Sequence, residues 1–248
     1  MKKLTCIILM MLFPLLGFTQ EAKKEAPKKG TLSSYRVSAK DGHNTALKAA
    51  ITAHAQKFHT GNWKWRVSEV LTGPDSGAYL IVEGPNSWTD LEGRGDLGPE
   101  HMKDYETNIT PHVEKTSPEV YATYQEDVST VVAGAFSPNK TLIRRVYPKP
   151  GCGPQVYEAL KTWKKVWEKR GSNVGVWSTF YSGEPSYLIV NRLKNGWKDL
   201  DEDIISIRKA ADEVGGPGTY DKMLEEIKLN VEKTVDEMIE FKPELSSK

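Results

Sequence analysis

Tyr79–Leu91 reads YLIVEGPNSWTDL, and Tyr187–Leu200 reads YLIVNRLKNGWKDL. One apolar tetrapeptide is followed in both by a polar link and then by Trp-x-Asp-Leu. Tyr79 and Tyr187 stand 108 residues apart, and Trp88 and Trp197 stand 109 apart, so the second link has gained one residue. Upstream, at the 109 spacing, Leu47, Ile51, His54 and Phe58 fall on Val156, Leu160, Trp163 and Trp167. These positions share one helical face in both copies. Downstream, Val113-Glu114-Lys115-Thr116 recurs as Val231-Glu232-Lys233-Thr234, and Gly98-Pro99 as Gly216-Pro217, at a spacing of 118. The second copy therefore carries about nine extra residues, most simply Asp203–Ala211, an insertion of the size that surfaces tolerate. A repeat of this length is a duplicated domain, not a solenoid unit.

Working outward from the tetrapeptide, each copy reads as β-α-β-β-α-β. In the first, Tyr35 and Val37 alternate with polar residues over a strand at Ser34–Ala39. Asp41–Asn44 is a turn, with Asn44 as a helix cap. A helix at Thr45–His59, a strand at Trp63–Leu71 and a hairpin turn at Gly73–Gly77 lead to a strand at Ala78–Glu83. A short turn or helix begins at Trp88, a helix spans Pro99–Thr116 with Pro111 kinking or shortening it, and Val120–Tyr124 closes the unit. The second copy gives strand Thr141–Tyr147, helix Pro154–Lys169, strands Val174–Tyr181 and Tyr187–Asn191, helix Tyr220–Lys233 and strand Glu237–Phe241. This places a first domain at 34–127, a linker at 128–140 and a second domain at 141–246. The order is the split arrangement called ferredoxin-like, an α+β fold with both helices on one face of an antiparallel sheet. The third strands are apolar at nearly every position, Leu80-Ile81-Val82 and Leu188-Ile189-Val190, so both faces of each sheet are covered. The second face is covered by the other copy.

The chain starts with Lys2-Lys3 and an apolar run, Leu4–Leu16, of signal-peptide length and too short to span a membrane. Residues 1–20 are expected to be removed near Thr19 or Gln20 on export to the periplasm or outside the cell, leaving no membrane span. Residues 21–33 form a tether, mostly Lys, Glu, Ala and Pro. Cys6 leaves with the signal segment, and Cys152 alone can form no internal disulfide. With 34 basic and 33 acidic residues the chain offers nothing that favours nucleic acid.

Element order, Trp- and Tyr-rich second and third strands, and the duplication together resemble the dimeric α/β-barrel superfamily, with two units fused in one chain over nearly all of Ser34–Ser246. The resemblance implies two antiparallel sheets packed face to face as an intramolecular barrel, hence a monomer with a pseudo-dimeric core. It also implies a pocket beside the sheet. The superfamily includes cofactor-independent monooxygenases, haem-handling enzymes, muconolactone isomerase-like proteins and small-ligand binders, and it supplies no motif that transfers residue by residue.

Candidate pocket residues come from the side chains themselves. His54 stands on the apolar face of the first helix, where a satisfied core histidine is the commoner outcome. His101, Tyr105 and His112 share one face of the expected Pro99–Thr116 helix, and their counterparts are Thr219, Met223 and Asn230. A polar set in one copy only is what a single pocket in a duplicated scaffold looks like, and a histidine on such a helix is able to ligate haem iron. Trp65 and Trp177, on second strands, are expected to line a pocket, whereas Trp88, Trp163, Trp167 and Trp197 read as core or anchors. Cys152 before a helix reads as a loop residue, and Gly93-Arg94-Gly95-Asp96-Leu97-Gly98 as a flexible loop rather than a dinucleotide motif. No H-E-x-x-H, G-x-S-x-G, P-loop or paired-cysteine set is present, so no metal site and no cofactor are expected, with haem the one exception kept open. The sequence thus points to an exported binder of a small, largely apolar ligand. The alternatives are a cofactor-independent monooxygenase or haem-binding enzyme, and an interaction or assembly module.

Overall fold

The computed structural model describes residues 30–131, 140–201 and 206–248. The expected signal segment, most of the tether and most of the linker lie outside the described residues. The first half contains β1 (Thr31–Ala39), α1 (Asn44–Phe58), β2 (Trp65–Val70), β3 (Tyr79–Asn86), α2 (Trp88–Arg94), α3 (Pro99–Asp104), β4 (Val113–Thr116) and β5 (Val120–Tyr124). The second contains β6 (Lys140–Pro148), α4 (Gly153–Lys169), β7 (Val174–Ser178), β8 (Tyr187–Leu193), α5 (Ile207–Gly215), α6 (Thr219–Asn230) and β9 (Val231–Phe241).

Eight strands close into one antiparallel barrel in the order β1-β3-β2-β9-β6-β8-β7-β5 and back to β1, and β4 extends the pairing along β1. The halves are joined at their edges. Ser68 pairs with Phe241 and Val70 with Ile239 at one seam, and Tyr124 pairs with Trp177 at the other. The expected face-to-face stacking is thereby refined: the sheets hydrogen-bond edge to edge, and no barrel strand keeps a free edge.

Period-two alternation then assigns every strand residue a side. Arg66 and Ser68 of β2, and Leu80 and Val82 of β3, face a cavity inside the barrel. Trp65, Val67, Tyr79 and Ile81 face outward and pack with Leu47, Ile51 and Ala55 of α1. That explains the uninterrupted apolar run in YLIV: one face meets helices and the other meets the opposite strands. The second half repeats this core with Val146, Val156, Leu160, Trp167, Val174, Val176 and Tyr187.

Several expectations change in detail. β1 starts at Thr31, inside the expected tether. Asn44 makes no cap; its side-chain oxygen accepts from the Tyr79 hydroxyl at 2.6 Å instead. The Pro99–Thr116 helix ends at Asp104 and continues as a wide turn at Tyr105–Ile109 and a tight turn at Thr110–His112 holding Pro111, before β4. Pro removes an N–H donor and crowds the preceding turn, so the helix does not run on. β9 takes in Val231–Thr234 as one continuous strand, whereas Ser117-Pro118 separates β4 from β5. The extra residues of the second copy contribute to α5, whose Ala210 and Ala211 are buried against Val166 and Met223. Among the described residues no helix is long and apolar enough to cross a membrane.

Candidate metal centre

Between the outer face of β2–β3 and helices α1 and α3 lies a ring of polar side chains in an otherwise apolar layer. His54 comes from α1, His59 follows its end, and His101 lies in α3; they are 0 %, 1 % and 8 % exposed. Each offers one nitrogen so that the three lie within 4.8 Å of one another. His59 Nε2 and His101 Nε2 are 3.2 Å apart.

Two of the other nitrogens are held by carboxylates. His54 Nδ1 donates to Asp104 Oδ2 at 2.8 Å, which fixes the tautomer and leaves Nε2 buried without a hydrogen-bond partner. His59 Nδ1 is 3.2 Å from both Glu83 Oε2 and the Trp63 carbonyl oxygen, so its Nε2 also points into the cluster. His101 meets no carboxylate through Nδ1 among the described residues, and its ring interacts with the Asp96 backbone instead. Glu83 is itself buried and is held by Arg94, whose Nε lies 2.9 Å from Oε1. α2 delivers that guanidinium. Its start is fixed by a capping box in which Asp90 N donates to Ser87 Oγ and Ser87 N donates to Asp90.

Burial lowers the basicity of all three imidazoles. His54 is lowered to about 4, by desolvation first, with the charges of His59 and His101 adding to it. His59 and His101 move in the same direction, also by burial first. The cluster is therefore neutral at pH 7, the form in which imidazole binds metals. Aromatic rings close around it. Trp65 stacks on His59 at 3.8 Å, and His54 packs against Phe58, His59, Trp65, His101 and Tyr105. The Tyr105 phenol interacts with that of Tyr35, and burial pushes both above the ordinary tyrosine value.

Four of the five residues singled out from sequence, His54, His101, Tyr105 and Trp65, thus meet at one place. Trp177 does not; it lines the barrel interior, on the opposite face of the sheet. His112 also stands apart, with Nδ1 3.0 Å from His43 Nδ1 at the surface, because the helix that was to align it with His101 ends at Asp104. His59, Glu83, Asp104 and Arg94 were not foreseen. Arg94 belongs to α2 rather than to a flexible loop. Glu83 carried the clearest signal: it shares strand parity with Tyr79 and Ile81 and therefore faces the helices. At the spacings of the repeat, His54, His59 and His101 correspond to Trp163, Glu168 and Thr219, so the cluster exists in the first half alone.

No family model and no curated protein matches the chain. Solved structures do. An anthrone oxidase-like protein aligns at a TM-score of 0.57 and 12 % identity, over 87 % of this chain and 92 % of its own. A candidate monooxygenase from Fusobacterium nucleatum subsp. nucleatum gives 0.57 and 13 %, over 87 % and 94 %. A chlorite dismutase from Candidatus Nitrospira defluvii, in complex with imidazole, gives 0.53 and 7 %, over 88 % and 93 %. The fold is that of the dimeric α/β-barrel superfamily. This chain is a closed antiparallel barrel with a buried tri-histidine cluster on one half.

Proposed function

We propose that the chain is an exported α/β-barrel protein, built of two ferredoxin-like units, that binds one divalent transition-metal ion through His54, His59 and His101. The observation that carries this reading is the convergence of three buried, neutral imidazoles, two of them oriented by carboxylates. A ligating histidine that donates its other N–H to a carboxylate is the usual outer-shell arrangement of metal sites. An all-imidazole set suits zinc, copper, nickel or ferrous iron better than calcium or magnesium. Three protein ligands leave a coordination position for water or a small ligand.

A bare ion fits the cluster better than haem does. The imidazole faces already pack against Trp65, Phe58 and Tyr105, and a porphyrin set beside His101 would displace these rings. A cavity on the other face of the same sheet supports a separate place for the small, largely apolar ligand expected from the sequence.

The test is metal uptake by the mature protein, expressed with export intact and stripped with a chelator. Zinc and cobalt are expected to bind 1:1, cobalt with visible d–d absorption, and His54→Ala, His59→Ala and His101→Ala are each expected to weaken binding at least tenfold. Failure of zinc, cobalt and copper alike to bind stoichiometrically refutes the reading. A Soret band on adding haemin that is lost in His101→Ala would replace it with the haem alternative.

A further inference from the structure

The barrel interior holds a partly open cavity of about 180 Å³. Aliphatic side chains of β3, β8 and β9 and the ring of Trp177 make most of its wall, yet four arginines, Arg36, Arg66, Arg145 and Arg192, also line it, against one carboxylate, Glu237. Arg36 and Arg145 stand 109 residues apart, in equivalent places, each opposite the leucine of its YLIV segment. Their partners differ. Arg36 is held by Glu237 and, at 2.8 Å, by Asp75. Among the described residues Arg145 reaches only the Ser186 hydroxyl, at 3.5 Å, and no carboxylate forms an ion pair with Arg145 or Arg192. Arg66 donates to the Gly84 carbonyl, and its acidity is raised by burial and by the nearby charge of Arg192. Guanidinium groups stay protonated, so the cavity holds an excess of positive charge in an apolar wall.

We propose that the barrel interior binds one small organic anion, a carboxylate on an apolar or aromatic body about the size of benzoate. Arg145 and Arg192 are half-buried; partial desolvation without counter-charge is unfavourable, and a carboxylate set against two guanidiniums relieves it with bidentate geometry. It would take the position beside Arg145 that Glu237 takes beside Arg36. The walls set the rest of the ligand. A flat indole face and branched aliphatic side chains suit a ring or short chain rather than a bare inorganic anion. Size agrees: a dry apolar cavity of about 150 Å³ accepts benzene. This deepens the small-ligand reading and is independent of the metal centre.

The test is calorimetry and tryptophan fluorescence on the full mature protein with three probes: benzoate, its neutral isostere benzyl alcohol, and inorganic phosphate. Benzoate is expected to bind 1:1, more weakly as salt rises, and to quench emission by an amount that Trp177→Phe removes. Benzyl alcohol and phosphate are expected to bind at least tenfold more weakly. Arg145→Gln and Arg192→Gln are each expected to cost at least tenfold in benzoate affinity; should either fail to fold, the salt dependence of the natural chain decides the same point. Chelation of metal is expected to leave benzoate affinity unchanged. Equal binding of benzyl alcohol overturns the anion while keeping an apolar ligand. Phosphate binding as tight as benzoate overturns the apolar body. No saturable binding of any probe overturns both.

Discussion

Acidification of the metal-free protein is the sharpest test of the cluster. His54 is fully buried, and its basicity is lowered from the ordinary 6.5 to about 4. In the unfolded chain the same imidazole protonates near pH 6.5. Between these values the unfolded state holds more protons than the folded one, so stability falls as pH falls. The loss begins near pH 6.5 and saturates near pH 4. At about 1.4 kcal/mol per unit, it amounts to about 3 kcal/mol from this one residue. His59 and His101 are displaced in the same direction and steepen the fall. Asp104 does not confuse the window. Its pKa is below the usual 3.8, because bonds from His54 and Asn108 outweigh its burial, so it titrates at more acid pH. Urea denaturation of chelator-treated protein at pH 7.5, 6.5, 5.5 and 4.5 measures the effect, with His54→Phe as reference. The reference keeps a ring in place and cannot titrate. The difference in unfolding free energy between the two proteins should change by about 3 kcal/mol across the window, with the natural chain losing more. Parallel pH profiles would refute the assignment of His54 as a buried neutral imidazole. Saturating zinc should raise stability most at neutral pH and lose that effect on acidification, since protons and metal compete for the same nitrogens.

The remaining expectations concern neighbouring features. Glu83→Gln keeps the shape but weakens the orientation of His59, and should cost about 10- to 100-fold in zinc affinity, read by chelator competition. Gly175→Ala places a methyl carbon 2.5 Å from the Trp177 ring and should cost about 1–3 kcal/mol in urea unfolding, with a shift in tryptophan emission as the ring moves. Leu245→Ala should cost about 2–4 kcal/mol by the same assay, because this residue of the C-terminal tail is buried in the core of the first half.

The fold was legible because two signals agreed, the helical and strand periods within each copy and their recurrence between copies. The junction before the last strand was not, since Val113–Thr116 and Val231–Thr234 match as sequence but only the first is followed by Ser-Pro. The site was half legible. A histidine on an apolar helix face marks a buried polar group, and His54 and Trp65 both met the cluster. Trp177 was paired with Trp65 by strand number, but register separates them. Trp65 stands opposite Glu83, while Trp177 stands opposite Leu188, the counterpart of Leu80, which is opposite Ser68. Trp177 therefore occupies the place of Ser68, on the inner face. Arg94 and Asp104 reach the cluster through tertiary approach of α2 and α3, for which a single sequence offers no period to read.

The duplication also shows that the polar cluster is not something the scaffold requires. In the second half the equivalent layer is filled by Trp163 and Trp167, with Val166, Ala210, Ala211 and Met223 packed beside them. The same architecture therefore closes over an apolar filling. A buried polar network contributes less to stability than well-packed apolar groups of similar volume, and one with an unpartnered nitrogen at His54 contributes less still. Replacing those two side chains together, as His54→Phe with His101→Leu, leaves the His59–Glu83–Arg94 chain intact. Asp104 remains partly solvated beside Lys57 and Asn108. This double variant should match or exceed the stability of the metal-free natural protein at pH 7 and should lose zinc binding. A loss of about 3 kcal/mol or more in urea unfolding would show instead that the imidazoles are required to hold the layer together, as removal of one partner from a buried polar pair does. Retained or improved stability without metal uptake would leave ligation as the reason the first half keeps histidines where the second keeps a hydrophobic core.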